Sequence, residues 1–223
     1  AYRLERRAAA AVFGYVVGPQ SWKKFLFPPR LRLWKANKTD GGFEVEDDSA
    51  GPPKYAFIGV RGCELSAIGI QDKVFLQGPV ADKHYADRRR DCFIVAVNCT
   101  EPGGTCFCTS MGTGPWAGKG YDVTVTEVID EGDHYFVADA GSELGAALLA
   151  KLPAEPVKKD EQDEAERRVG EAAKRMGRTL DTEGIKELLY GSYDHPRWDD
   201  IASRCLTCTN CTLVCPTCFC STV

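Results

Sequence analysis

Residues 205–220 read C-L-T-C-T-N-C-T-L-V-C-P-T-C-F-C and hold six of the eleven cysteines of this 223-residue chain. The first four, Cys205, Cys208, Cys211 and Cys215, follow the spacing C-x2-C-x2-C-x3-C-P. That spacing is typical of ferredoxin-type iron–sulfur segments, in which a tight backbone wrap presents three thiolates to one cluster. In two-cluster ferredoxins the fourth cysteine, before the proline, binds the other cluster. The segment therefore predicts a 4Fe–4S site.

Zinc and disulfides are the two alternative explanations of this run. The pairs Cys205/Cys208 and Cys215/Cys218 could bind zinc, but only six residues separate them, against roughly 15–20 in typical paired sites. Zinc would also leave Cys211 without a role. Disulfides need an oxidising compartment, whereas eleven cysteines without an apolar signal segment favour a reducing cytoplasm. We therefore expect iron–sulfur ligation and a cytoplasmic protein.

Composition and charge narrow the class of protein. The chain is 43% hydrophobic and 27% charged, with a formal net charge of −4, which is ordinary for a soluble globular protein. Its length is enough for one or two domains with a hydrophobic core. A net negative charge argues against nucleic-acid binding through a basic surface. The sequence has no run of about 18 apolar residues, so we expect no membrane span.

Short apolar runs predict a buried sheet in the first part of the chain. Residues 55–60 (YAFIGV) and 92–97 (CFIVAV) have the length and composition of buried strands. A helix is expected between them over residues 63–76. Residues 121–129 alternate in the strand manner, and residues 134–138 could return beside them as a hairpin. Strands combined with a connecting helix predict an α/β-like domain.

The second half of the chain is predicted to be mostly helical. Ser142 is a suitable N-cap for a helix over residues 142–152. Apolar residues at helical spacing predict a packed helix over residues 159–176. Short helices are expected around residues 185–189 and 198–202, and the last of these leads directly into the cysteine run.

We therefore expect an α+β protein, with an α/β-like N-terminal domain followed by a helical-ferredoxin-type iron–sulfur module. The domain covers residues 1–152 and includes a long glycine- and cysteine-rich loop at 98–115. Residues 40–53 are rich in glycine, proline and acidic residues, so they are expected to be a surface loop. Residues 153–195 are expected to be a helical linker region, and residues 196–223 the first half of a two-cluster 4Fe–4S module.

A second cysteine group consists of Cys63, Cys99, Cys106 and Cys108. Cys63 follows the first predicted buried strand and Cys99 follows the second. If those strands are parallel neighbours, both thiols lie at the carboxyl edge of one sheet, where α/β sheets place ligands. Cys106 and Cys108 lie in the glycine-rich loop that comes next. The four thiols could hold a second metal centre, or they could be buried thiols without a metal, since cysteine is often buried.

Four segments of the chain resemble one protein family. They are K-F-L-F-P-P (24–29), G-V-R-G-C-E-L-S-A-I (59–68), V-N-C-T-E-P-G-G-T-C-F-C-T-S-M-G-T-G-P (97–115) and R-C-L-T-C-T-N-C-T-L-V-C-P-T-C-F-C (204–220). The family is the iron–sulfur subunit that anaerobic sulfite reductase shares with soluble, cytoplasmic NiFe hydrogenases, also called sulfhydrogenases, in which it is the β subunit. The resemblance runs from about residue 22 to the end of the chain.

The resemblance implies two 4Fe–4S clusters in the intact subunit. By the family pattern, Cys205, Cys208 and Cys211 hold one cluster and Cys215 serves the second. Members of the family carry another C-x2-C-x2-C-x3-C-P motif downstream, and this sequence does not contain it. We therefore expect the chain to be a fragment, with the fourth ligand of the first cluster outside it.

Two further cysteines of the run, Cys218 and Cys220, match the family's C-P-T-C-F-C. Spacing fixes no role for them, so they are additional candidate metal ligands. The second cysteine group is the candidate for a further iron–sulfur centre.

The resemblance also implies an electron-transfer subunit that does not itself catalyse the substrate reaction. It would relay electrons between a flavin-containing, NAD(P)H-oxidising partner and a catalytic partner. The catalytic partner would be a sulfite reductase or a NiFe hydrogenase or sulfur reductase. One alternative is a redox-active thiol or cofactor-binding catalytic subunit that uses the second cysteine group. Another is a zinc-bound structural scaffold.

Overall fold

The computed structural model describes residues 10–18, 21–47, 51–130 and 132–219, which form a mixture of helices and strands. The strands are β1 (Trp34–Thr39), β2 (Gly42–Asp47), β3 (Ala56–Arg61), β4 (Phe93–Val97), β5 (Val123–Ile129) and β6 (His134–Ala140). The helices are α1 (Lys23–Leu26), α2 (Gly62–Leu76), α3 (Lys83–Arg90), α4 (Glu143–Leu149), α5 (Lys159–Lys174), α6 (Ile185–Tyr190), α7 (Arg197–Ser203) and α8 (Asn210–Val214). Within these residues no helix is both long and apolar enough to cross a membrane.

The described residues form two compact units, each assembled from separate stretches of the chain. Unit 1 comprises residues 10–16, Ile58–Cys63 and Ile94–Leu180. Unit 2 comprises the described residues of Val17–Phe57, Glu64–Phe93 and Asp181–Val223. The domain boundaries expected near residues 152 and 195 stay predictions.

A four-stranded sheet has the strand order β3-β4-β5-β6. β4 and β5 are parallel, with Val95 opposite Val123, and β5 and β6 are antiparallel, with Val123 opposite Ala140. The strands and the α2 helix predicted from the apolar runs are confirmed. The buried apolar side chains of this sheet are Phe57, Val60, Ile94, Ala96, Val97, Val123 and Val128.

Asp122, directly before β5, links β4 to α4 through its carboxylate. One carboxylate oxygen accepts a hydrogen bond from the Ile94 N–H at 2.8 Å, and the other accepts one from the Ser142 hydroxyl at 2.6 Å. The Ser142 oxygen in turn accepts a hydrogen bond from the Gly145 N–H at 3.1 Å, which confirms the predicted N-cap of α4. A Cβ at residue 145 would lie 1.7 Å from the Asp122 carbonyl oxygen, so this close approach requires glycine.

The α5 helix packs against β5 and β6. Its apolar face is formed by Ala165, Val169 and Ala172, whose side chains are all buried. The helix predicted over residues 159–176 is therefore confirmed, and the face inferred from helical spacing is a packing face. In consequence, part of the expected linker region belongs to the packed body of unit 1.

Aromatic rings form the core of unit 2 around Phe57. The ring centroids of Trp22, Tyr55 and Phe25 lie 4.7, 5.6 and 5.7 Å from that of Phe57. Such offset and tilted ring pairs contribute beyond their buried area. Because Trp22 directly precedes α1 and Phe25 belongs to it, this cluster packs α1 against Tyr55 and Phe57.

The hairpin of β1 and β2 differs from the surface loop expected over residues 40–53. The two strands are antiparallel, and Thr39 lies opposite Gly42. The two connecting residues are Asp40 and Gly41, and Asp-Gly is a strong signal for a two-residue hairpin turn. The expectation was wrong: glycine and acidic residues favoured a loop, but Gly42–Asp47 form a strand in which Phe43 and Val45 alternate with acidic residues while every side chain stays exposed.

Replacing Ser142 by alanine removes the hydroxyl that caps α4 and donates to Asp122. Loss of an N-cap typically costs about 1 kcal/mol, so we expect the free energy of unfolding to fall by roughly 1–2 kcal/mol. Urea unfolding followed by far-UV circular dichroism measures this change. Ser142→Thr keeps a hydroxyl and should remain close to wild type. Equal losses in the two variants would contradict the capping role.

Candidate metal centre

The second cysteine group lies at one edge of the four-stranded sheet. Arg61 is the last residue of β3, and Cys99 lies two residues after β4. Burial raises the pKa of the Cys99 thiol, and the positive charge of the Arg61 guanidinium acts in the opposite direction. A Cβ at Gly62, the residue after β3, would lie 2.4 Å from the Trp116 carbonyl oxygen, and the Cys99 N–H donates to the Pro115 carbonyl at 3.0 Å, so the end of β3 lies beside the loop that holds Cys99. Cys63 follows two residues after Arg61 at that same strand end.

Cys106 and Cys108 lie close to Cys99. Burial raises the pKa of the Cys108 thiol, and the neighbouring Cys106 and Cys99 thiols raise it further. A Cβ at Gly114 would lie 2.9 Å from the Cys108 sulfur and 3.8 Å from the Cys63 backbone nitrogen. Cys99, Cys106 and Cys108 thus lie near enough to influence one another's pKa, and Cys63 is exposed. Among the described residues, however, these thiols form no group of three arranged to hold a metal ion.

Asn98 fixes both ends of the cysteine-rich loop to the sheet. Its side-chain amide donates to the Thr126 hydroxyl on β5 at 2.9 Å, and its side-chain oxygen accepts from the Ala117 N–H at 2.8 Å. The Cys99 N–H donates to the Pro115 carbonyl at 3.0 Å. The loop is thus closed on itself, which returns Cys106 and Cys108 toward Cys99.

The segment that follows α5 covers this loop, and sequence reasoning missed its role. The Arg178 N–H donates to the Cys106 carbonyl at 3.0 Å. The Met176 sulfur lies 3.9 Å from the Cys108 sulfur. The sequence signal was confined to Met176, which was assigned only to the apolar face of a helix. Contact with a loop about 70 residues earlier leaves no local pattern.

A cavity of about 480 Å³ lies beside residues 100–102 of the same loop in unit 1. Acidic and basic side chains both line it, among them Glu127, Glu171, Arg168 and Arg175. The Glu127 carboxylate already accepts two backbone hydrogen bonds, at 2.6 and 2.7 Å. The mixed charge indicates no particular class of ligand, so we assign no site to this cavity.

The cysteine run begins after α7 and includes α8. Cys205, Cys208 and Cys211 have exposed side chains, and Cys215 is half-buried. Cys211 lies within α8, and Cys215 is the C-cap of that helix. The helix thus carries the third and fourth cysteines of the ferredoxin spacing at its two ends.

Thr207 and Thr209 adopt the left-handed backbone conformation, with φ of 49° and 59°. This conformation is uncommon outside glycine and asparagine, and it occurs in backbone concavities that present N–H groups to anions. The Thr207 N–H donates to the Cys205 sulfur at 3.4 Å. Hydrogen bonds of this kind to sulfur help to set the potentials of iron–sulfur clusters.

The surroundings of Cys215 stabilise its thiolate. Burial raises the pKa of its thiol, but hydrogen bonds from Thr217 and Cys218 outweigh burial and lower the pKa to about 7. The Thr217 hydroxyl oxygen lies 3.3 Å from the Cys215 sulfur. Because the thiolate is the form that binds metals, these donors favour the ligand form of Cys215.

The last described residues of the run dock on α2. The Gln71 side-chain amide donates to the Cys218 carbonyl at 3.5 Å. The Phe219 ring meets the Phe75 ring edge-on, with centroids 6.2 Å apart. The candidate ligand Cys220 lies outside the described residues.

The donor chemistry of the run fits an iron–sulfur cluster, although its thiols do not converge. No disulfide joins any two of the ten cysteines in the described part of the chain. Among the same residues, no group of three or more His, Cys, Asp or Glu side chains is arranged to hold a metal ion. Thiols at ferredoxin spacing, with N–H donors to two of the sulfurs, are nevertheless the chemistry that such a cluster requires.

Comparison with known proteins gives one informative relative. The chain is 34% identical over 205 residues to the protein named sulfhydrogenase 2 subunit beta from Pyrococcus furiosus. The aligned region covers 89% of this chain and 56% of that protein, so the chain spans about half the length of the relative. This chain is therefore similar to about half of a protein named as a hydrogenase beta subunit. No family model matches the chain, and no solved structure matches it.

The surroundings of Cys215 predict how the metal-free, reduced protein reacts with iodoacetamide. A pKa of about 7 means that thiolate accumulates, and the alkylation rate of Cys215 rises, between about pH 6 and pH 8. Thr217→Val removes one hydrogen-bond donor and so raises this pKa. A rise of one unit lowers the thiolate fraction, and the rate at pH 7, about fivefold.

Mass spectrometry of alkylated peptides measures these rates. Thr212→Val is the matched control: it makes the same substitution in the same run, and it keeps the Thr212 carbonyl that accepts a hydrogen bond from Lys23. We expect Cys99 and Cys108 to react more slowly than Cys215 at pH 7, since burial raises the pKa of both thiols. Equal rates for wild type and Thr217→Val would contradict this account of Cys215.

Proposed function

We propose that this relative of a hydrogenase beta subunit is an electron-transfer subunit that holds 4Fe–4S clusters through Cys205, Cys208, Cys211 and Cys215. The observation that carries the proposal is the C-x2-C-x2-C-x3-C-P run in a chain 34% identical to a sulfhydrogenase subunit. The spacing is specific to iron–sulfur ligation. The relative is named as a subunit of a hydrogenase, and a hydrogenase is a redox enzyme in which an electron-transfer subunit has a use.

The residues of this chain would supply ligation and tuning. A bound 4Fe–4S cluster supplies storage for single electrons. Cys205, Cys208 and Cys211 would hold one cluster, and Cys215 would serve a second. The Thr207 N–H and the Thr217 hydroxyl lie at the sulfurs of two of these cysteines. Such hydrogen bonds delocalise thiolate charge and so make electron uptake easier.

The partners we propose follow from the similarity to a component of a multi-subunit enzyme. One partner is a flavin-containing subunit that oxidises NAD(P)H. The other is a catalytic subunit that reduces sulfite or sulfur or that acts on hydrogen. Substrate chemistry would then belong to the partners, and the role of this chain is to pass electrons between them in the cytoplasm.

The second cysteine group is a candidate for a further iron–sulfur centre. Cys99, Cys106 and Cys108 influence one another electrostatically and are therefore close. Burial disfavours the thiolate at Cys99 and Cys108. A metal ion favours the thiolate because coordination displaces the proton.

A thiol-based redox function is the second candidate for this group, and the same clustering supports it. Two of its thiols would be oxidised to one disulfide, with the release of two electrons and two protons. The electrons would go to the redox partner. The raised pKa values of Cys99 and Cys108 slow this chemistry at neutral pH, because the thiolate is the attacking species. We therefore prefer the metal centre. A zinc-bound scaffold is the third alternative.

Anaerobic reconstitution of the full-length subunit tests the cluster assignment. We expect about four iron and four acid-labile sulfide per cluster, and an electron paramagnetic resonance signal after reduction. Cys208→Ser should lower iron and sulfide by about one cluster. Cys92→Ala is the matched control, because Cys92 belongs to neither cysteine group, and it should retain wild-type iron. Bound zinc with iron and sulfide near zero would contradict the proposal.

The double variant Cys106→Ser/Cys108→Ser separates the two readings of the second cysteine group. If the group holds a metal centre, iron content falls by one centre and one distinct reduced signal disappears. If the group works by thiol chemistry, iron and all signals remain while electron throughput with the partners declines. Unchanged iron, spectra and throughput would contradict both readings.

A further inference from the structure

Lys23 on α1 has a buried side chain although lysine is rarely buried without a partner. Its ammonium group donates to the carbonyl of Thr212 at 2.9 Å and to the carbonyl of Cys215 at 3.1 Å. Both carbonyls belong to the cysteine run. Both contacts lie within unit 2.

The two carbonyls lie at the C-terminal end of α8. The last carbonyls of a helix have no partner within the helix and carry its negative partial charge. A lysine ammonium placed there is a recognised way to satisfy them. Lys23 therefore compensates the negative end of the helix that bears Cys211 and Cys215.

The rest of the motif around Lys23 supports the same docking. Phe27, four residues after Lys23, stacks on Phe75 with ring centroids 4.8 Å apart. Phe75 in turn meets Phe219, the residue before the last cysteine of the run. Residues 23–27 thus contact the cysteine run directly through the Lys23 ammonium group and indirectly, through Phe75 of α2, by ring contacts.

We infer that Lys23 is a positioning residue of the iron–sulfur segment, which holds the carbonyls around Cys215 and makes electron uptake there more favourable. The inference rests on the proposed cluster ligation. The Lys23 ammonium lies 3.1 Å from the carbonyl oxygen of Cys215, which is a proposed cluster ligand. A cation at that range stabilises the reduced state, because each electron that enters adds negative charge.

Lys23→Met removes the charge and keeps the length of the side chain. We expect the affinity of the nearby cluster for an electron to fall about tenfold, which corresponds to about 59 mV for a one-electron couple. Potentiometric titration followed by electron paramagnetic resonance, on the anaerobically reconstituted full-length subunit, measures the shift. Lys24→Met is the matched control: it removes one positive charge from the same helix at an exposed position.

Iron and sulfide analysis distinguishes failure of this inference from failure of the proposed function. Wild-type protein without iron and sulfide overturns the proposed function. Wild-type clusters, together with equal potentials in Lys23→Met and Lys24→Met, overturn the role of Lys23 alone. If Lys23→Met does not retain clusters, Lys23→Gln is titrated instead, because its amide can still donate to one carbonyl. A potential equal to wild type in Lys23→Gln then overturns the inference.

Discussion

Backbone polar groups directly after β4 must find hydrogen-bond partners once the sheet is buried, and this requirement shapes the cysteine-rich loop. The Asn98 N–H donates to the Val125 carbonyl at 3.0 Å, and the Cys99 N–H donates to the Pro115 carbonyl at 3.0 Å. An unpaired buried backbone group would cost roughly 1–3 kcal/mol. The loop therefore returns to the edge it leaves, and this closure carries Cys106 and Cys108 back to Cys99.

The cysteine run in unit 2 is held by a different balance of energies. Burying an ammonium group costs several kcal/mol, and a hydrogen bond to a charged group returns roughly 1.5–3 kcal/mol. The hydrogen bonds to the two carbonyls therefore roughly offset the free energy of desolvating Lys23, and the net contribution to folding stability is small. An apolar side chain would avoid that desolvation but would leave both carbonyls without this donor. The value of Lys23 lies in where it holds the chain and in the charge that it places there.

Local patterns in the sequence were enough to predict β3, α2, β4, β5 and β6. Burial periodicity and helix capping depend on residues that are close in sequence, so a local sequence pattern predicts them. The same holds for the spacing of the four ferredoxin-type cysteines. The contact of Lys23 with Thr212 spans 189 positions, and the cover over Cys106 comes from the segment after α5. Such contacts depend on the complete fold, so no local sequence pattern predicts them.

The two cysteine groups differ in what stabilises a thiolate. At Cys215, donors on Thr217 and Cys218 overcome burial, so the protein itself favours the charged form. At Cys99 and Cys108, burial dominates and neighbouring thiols add repulsion, so the protein favours the neutral form. Closely spaced, partly buried thiols become thiolates at neutral pH more readily when a cation shares the site. At Cys215, backbone and hydroxyl donors already favour the thiolate. At the second cysteine group, a bound metal would itself have to drive deprotonation of the thiols.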